Sequence, residues 1–153
     1  MDNSSFALSL SNVSKHCVIG KRKIPLLQSI DLHVSSGDLV AIKGVSGSGK
    51  TTLLQLCSGI LPADGGQVLC LGHALHQLDD VERTHFRGQC LGFVFQHFEL
   101  LPGMTVAENI QLPAQLLGRT LDDEVLMHWV TRVGLEHRLS HTPDMLSGGE
   151  QQR

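Results

Sequence analysis

The chain has 153 residues, of which 41% are hydrophobic and 18% charged, the proportions of an ordinary soluble globular domain. A chain of this size can bury roughly 68–70% of its unfolded surface and so build one real core. A net charge of −3 provides no basic face of the kind that nucleic-acid binding demands, so no nucleic-acid partner is expected.

The opening Met1-Asp2-Asn3-Ser4-Ser5 lacks the positive patch and apolar run of a signal peptide. No stretch approaches the ~18–20 apolar residues that span a bilayer. Cys17, Cys57, Cys70 and Cys90 are widely spaced without a C-x-x-C pair, and are expected to be reduced thiols packed as small apolar groups. Asn3-Ser4-Ser5 and Asn12-Val13-Ser14 match the glycosylation pattern, which carries no weight without secretion. The expected location is the cytosol or the cytosolic face of a membrane.

From Phe6 to Val13 apolar and polar residues alternate, as in a half-buried strand. A basic, turn-like Gly20-Lys21-Arg22-Lys23 leads to a second strand over Leu26–Val34, and Ser35-Ser36-Gly37-Asp38 reads as a turn. Leu39–Lys43 is short, apolar and rich in β-branched residues, which predicts a central strand buried on both faces. A glycine-rich loop follows, then a helix from about Lys50 to Ser58, ended by Gly59. Pro62–Gly66 is a turn cluster, Val68–Leu71 a short strand, Asp79–Arg87 a polar surface helix and Leu91–Phe95 a second buried-type strand. Thr105-Val106-Ala107-Glu108 fits a capping box opening a helix that meets Pro113 and ends near Gly118. Thr120 or Asp122 caps the next helix, which stops at Gly134. Strands and a nucleotide-type loop thus fill residues 1–96, and a helical subdomain fills 97–153.

Gly44-Val45-Ser46-Gly47-Ser48-Gly49-Lys50-Thr51 fits the P-loop pattern G-x-x-x-x-G-K-[ST]. A polyphosphate needs many inward-pointing donors, and backbone N–H groups supply them only where the chain wraps closely, which glycine permits. The following helix turns its positive end to the anion. Lys50 can reach the β- and γ-phosphates, and the Thr51 hydroxyl can ligate Mg²⁺. A buried-type strand before the loop and a helix after it give the context this motif requires.

Leu146-Ser147-Gly148-Gly149-Glu150-Gln151-Gln152-Arg153 holds a second signal. Ser147 and Glu150 form a capping box around two glycines, which cost a helix about 1 kcal/mol each relative to alanine. Something other than helix stability must favour them, and N–H groups exposed around Gly148 and Gly149 would make a second anion site.

Leu146–Gln151 resembles the signature motif of ABC ATPases, and Gln96 resembles the Q-loop glutamine that contacts Mg²⁺ and the attacking water. P-loop, Q-loop and signature follow one another in family order, so the resemblance covers essentially the whole chain. Gly92–Gln96, Leu100-Leu101-Pro102, Glu108-Asn109 and Leu146–Arg153 are most similar to the LolD/MacB/YbbA group, the ATPase subunits of lipoprotein-release and macrolide-type export systems and of a related transporter.

The resemblance implies an α/β P-loop NTPase fold of the ABC ATPase type, with N-terminal antiparallel strands, a helical subdomain and the C-terminal part of the fold missing. It implies ATP and Mg²⁺ as ligands, Lys50 and Gln96 as catalytic residues, Thr51 and Gln96 at the metal, and Gly44–Thr51 with Thr52 around the phosphates. Ser147, Gly148, Gly149 and Glu150 would act on the nucleotide of a second copy in a dimer. The segment from His97 to about Leu139 would receive a separate membrane permease, with Phe98, Leu100 and Leu101 as apolar candidates, and would place the subunit on the cytoplasmic face of the membrane.

Two departures from the family pattern stand out. The Walker B aspartate and catalytic glutamate that follow the signature in the family are not among these residues, so the 153-residue polypeptide is expected to bind nucleotide without hydrolysing it. The family commonly stacks adenine on an aromatic residue upstream of the P-loop; here that position falls near Cys17, with His16 beside it, and the chain has no tyrosine. A soluble, non-transport ABC ATPase, a P-loop enzyme of another class such as a kinase or GTPase, against which the signature argues, and a non-catalytic nucleotide-binding module are the alternative readings. The nine histidines show no zinc spacing with cysteines or carboxylates, and read as surface residues.

Overall fold

The computed structural model describes residues 6–153, so the Asn3-Ser4-Ser5 match and the N-terminal reading lie outside the described residues. The chain divides into two compact units, Met1–Leu91 and Gly92–Arg153.

The first unit is built on a long hairpin of β1 (Phe6–Ile19) and β2 (Arg22–Ser35). Both strands run further than the alternation of side chains suggests, because register is carried across irregularities near Val13 and Lys15 into the basic stretch, leaving only Gly20-Lys21 as the turn. β3 (Gly65–Cys70) and the two-residue β4 (His73–Ala74) complete a sheet in the order β2-β1-β3-β4, every neighbour antiparallel. Leu10 lies opposite Leu32 on one side and Val68 on the other, and is fully buried. The core joins Leu10, Val13, Leu27 and Val68 of the sheet to Leu56 of α1 (Lys50–Cys57) and Phe86 of α2 (Asp80–Cys90). Each such side chain contributes about 1.5–3 kcal/mol relative to exposure. Two of the four thiols, Cys57 and Cys70, behave as apolar filler, whereas Cys17 is half-buried and Cys90 exposed. Burial pushes Cys57 up to about 11 and raises Cys70, so both stay protonated.

Two expected central strands are absent from this sheet. Leu39–Lys43 and Leu91–Phe95 run as irregular chain without ladder partners among the described residues. Leu39 is 100% and Val94 98% exposed, the reverse of strands buried on both faces. A strand is completed by its neighbours, and apolar, β-branched composition alone supplies none.

The second unit is helical. α3 (Val106–Leu116) opens on the expected capping box, with Thr105 and Glu108 bonding each other's backbone N–H, and it passes through Pro113 to end before Gly118. Asp122 stands at the N-cap of α4 (Asp123–Arg132), without a side-chain cap bond. Leu126 and Val130 of α4 pack with Leu135, Ala107 and Ile110 to form this unit's core. Single turns of 3₁₀ helix, Glu136–Arg138 and Pro143–Met145, lead to α5 (Gly148–Gln152).

Candidate functional site: a phosphate loop and a capped glycine turn

The loop Gly44–Gly49 enters α1 through a residue that cannot cap it. Gly49 is the N-cap, at φ 88° and with no side-chain bond to the helix. The first-turn N–H groups of α1 are therefore left for an acceptor from outside, and the helix dipole favours an anionic one. A Cβ on Gly49 would lie 3.0 Å from Leu27 Cδ2 and 3.1 Å from the Leu26 carbonyl, so the loop is pressed against β2. A Cβ on Gly44 would meet Ser48 Oγ at 2.8 Å. The loop is thus a tight backbone cradle that a side chain at either position would fill.

Lys50 folds back over this cradle, its Nζ donating to the Gly44 carbonyl at 3.0 Å and the Val45 carbonyl at 2.7 Å. These neutral acceptors hold the ammonium where phosphate oxygens would make stronger, charge-assisted partners. Thr51 is exposed and Thr52 partly so, both on the first turn of α1, while Val45, Ser46, Gly47 and Ser48 form the open rim. The fold therefore gathers Gly44–Thr52 at a single loop–helix junction, and the donor set fits a polyphosphate.

The base-side candidates lie on the same hairpin. Lys15 pairs with Leu27, and His16 and Cys17 continue the ladder opposite Pro25 and Ile24. His16 is tethered rather than free: its backbone N–H donates to Asp64 Oδ2 at 2.7 Å, and its ring Nδ1 lies 3.3 Å from the same oxygen. Lys15 Nζ donates to Asp64 Oδ1 at 2.9 Å. Burial pushes the Asp64 carboxyl up, but these donors outweigh it and hold the group below its ordinary value. Asp64, 48 residues from His16, carried no signal in the sequence.

In the second unit, Gln96 is an exposed turn residue after the irregular Leu91–Phe95 segment. Phe98 and Glu99 beyond it take φ 54° and 53°, a left-handed conformation that costs non-glycine residues of order 1–3 kcal/mol each. Asn109 organises the next stretch: its Oδ1 accepts from the Leu101 N–H at 2.8 Å, and its Nδ2 lies 3.0–3.2 Å from the carbonyls of Leu101, Met104 and Thr105. A cavity of about 460 Å³ beside Gln96 is lined by Phe93, Phe98, Leu100, Ile110 and Leu146 among others.

The glycine turn has the expected box. Ser147 Oγ accepts from the Glu150 N–H at 3.3 Å, and Glu150 Oε2 accepts from the Ser147 N–H at 2.8 Å and its hydroxyl at 2.7 Å. A Cβ on Gly148 or Gly149 would meet nothing within 4 Å, and neither residue needs a positive φ. No packing among the described residues explains the two glycines, which leaves open space in front of an exposed turn. Glu150 is held further by Arg138 Nε at 2.8 Å. The Ser147 hydroxyl and N–H, with Arg138, pull its carboxyl down to about 2.

A loop of this form before a helix, followed by the glycine turn, is matched by the sequence model of the ABC transporter family over residues 27–153. The chain belongs to the ABC transporter family. It is similar to the lipoprotein-releasing system ATP-binding protein LolD of Acinetobacter baylyi, 40% identical over 98% of this chain and 67% of the relative. The LolD protein of Shewanella frigidimarina is 41% identical, with 95% of this chain and 62% of the relative covered. Among solved structures, the ATP-binding cassette MJ0796, in a dimeric post-hydrolysis state bound to ADP and Pi, superposes with a TM-score of 0.85 at 34% identity. That match covers 95% of this chain and 65% of the other. The chain thus has the α/β fold of an ABC ATP-binding domain, with N-terminal antiparallel strands, and spans about two thirds of the length of these relatives.

Proposed function

We propose that this chain carries the nucleotide-gripping part of an ABC-type ATPase subunit that couples ATP binding and hydrolysis to transport by a separate permease, of the lipoprotein-release or export type. The observation that carries this reading is the cradle at Gly44–Gly49, with Lys50 drawn over it and an uncapped helix start behind it. In it, backbone N–H groups and Lys50 bind and orient the triphosphate. Thr51 offers an oxygen donor to Mg²⁺, which when bound would offset phosphate charge, and the family resemblance gives Gln96 a metal-contacting role as well. The Ser147–Gly149 turn serves the nucleotide of a second copy, a reading supported by the open space before its glycines and by the dimeric state of MJ0796.

The partners are accordingly a second ATPase subunit and a permease. On this reading the subunit is bound peripherally on the cytoplasmic face; no described helix is long and apolar enough to cross a membrane. Phe98 and Leu101, both exposed, with Leu100 beside them, are the permease-facing candidates. Among the described residues no group of three His, Cys, Asp or Glu side chains is placed to hold a metal ion. On this reading the 153-residue polypeptide binds ATP without turning it over. Nucleotide retention and phosphate release measured in parallel test this: retention without release is expected, and steady release abolished by Lys50→Ala would overturn it.

A further inference from the structure

The glycine turn contains an electrostatic contradiction. Its N–H groups suit an anion, yet the Glu150 carboxylate closes the same turn, two bonds from Ser147 to one of its oxygens. A fixed negative charge there repels a phosphate approaching Gly148 and Gly149. The structure supplies a counter-charge from outside the motif. Arg138, at the end of the Glu136–Arg138 turn, donates from Nε to the other oxygen, Glu150 Oε1, at 2.8 Å. Both side chains are mostly shielded, at 32% and 13% exposure, so the pair is less screened than a surface ion pair. The far end of the guanidinium, Nη1, lies 3.4 Å from His141 Nε2, on the segment whose backbone carbonyl receives the first N–H of α3. The other nearby cation, Arg153, is engaged with the neutral carbonyls of Gly149 and Val133 and leaves Glu150 to Arg138.

We propose that Arg138 is a positioning residue for the Ser147–Gly149 turn: it neutralises and orients Glu150, so that the carboxylate caps the turn without repelling the terminal phosphate of a nucleotide held by a second copy. The inference rests on the composite-site reading above and adds to it a residue nine positions upstream of Ser147. Arg138 touches no phosphate; it acts through Glu150.

The test is ATP-driven self-association of the 153-residue chain, followed by sedimentation with ATP and Mg²⁺, in Arg138→Ala, Arg138→Lys, Glu150→Gln and the Arg138→Ala/Glu150→Gln double variant. Arg138→Ala is expected to weaken association at least tenfold, about the effect of 1.4 kcal/mol. Arg138→Lys, which keeps the charge, should recover most of that loss. In the Glu150→Gln background, where no charge needs compensation, Arg138→Ala should change association less than threefold. Equal association of wild type and Arg138→Ala overturns the inference alone. A loss of the same size in both backgrounds reduces Arg138 to fold support and also overturns it. Absence of ATP-driven association in every variant, wild type included, sinks the composite-site reading and this inference with it.

Discussion

Alanine at Gly49 and at Gly47 separates what the backbone angle of the phosphate loop costs from what its contact with β2 costs. Both residues have positive φ, 88° and 80°, so either alanine accepts a left-handed conformation at about 1–2 kcal/mol. Gly47 faces open space, and its penalty ends there. At Gly49 the added methyl lies 3.0 Å from Leu27 Cδ2 and 3.1 Å from the Leu26 carbonyl. Leu27 is buried in the core, and the Leu26 carbonyl is β2 backbone rather than the free end of a side chain, so neither yields easily. Overpacking of that kind adds about 1–3 kcal/mol. The expected losses in urea unfolding are thus about 1–2 kcal/mol for Gly47→Ala and about 2–5 kcal/mol for Gly49→Ala, against a total stability of order 5–15 kcal/mol. Equal losses would show that the loop is not pressed on β2 and would refute the reasoning.

Further consequences can be checked on the same chain. Glu150 is held at about 2 against an ordinary 4.5, so its contribution to stability is full above about pH 4.5 and is lost as pH falls from there through about 2. Unfolding measured at pH 6 and pH 3 should show that loss in wild type and a smaller one in Glu150→Gln. Asn109→Ala removes the bonds that hold Leu101–Thr105 and should cost about 1–3 kcal/mol, with faster amide exchange at Leu101. Leu39→Lys and Val94→Lys, at fully or almost fully exposed positions, should each change unfolding of this chain by less than about 0.5 kcal/mol.

Features written within a few residues were legible in the sequence, and those completed by distant chain were not. The boxes Thr105/Glu108 and Ser147/Glu150 close over three residues, and the structure forms both. The loop–helix junction at Lys50 is equally local, since Gly49 ends one conformation and begins the next. By contrast, Leu39–Lys43 and Leu91–Phe95 have the composition of central strands but find no ladder among the described residues, and composition cannot report a missing neighbour. The length of the β1–β2 hairpin was hidden because its irregularities break the two-residue alternation. Asp64 clamps His16 from 48 residues away and Arg138 reaches Glu150 across 12, separations at which charge in a sequence has no readable geometry.

The most direct measurement of the central claim, that Gly44–Thr52 grips the phosphates of a nucleotide, is calorimetric titration of ATP and of adenosine into the 153-residue chain and its Lys50→Ala variant. Saturable ATP binding is expected, weakened at least tenfold by the substitution, since a charge-assisted bond contributes about 1.5–3 kcal/mol. Adenosine, which lacks phosphates and meets no tyrosine on this chain, should bind far more weakly than ATP. ATP affinity that survives Lys50→Ala unchanged, or that adenosine matches, would contradict the claim.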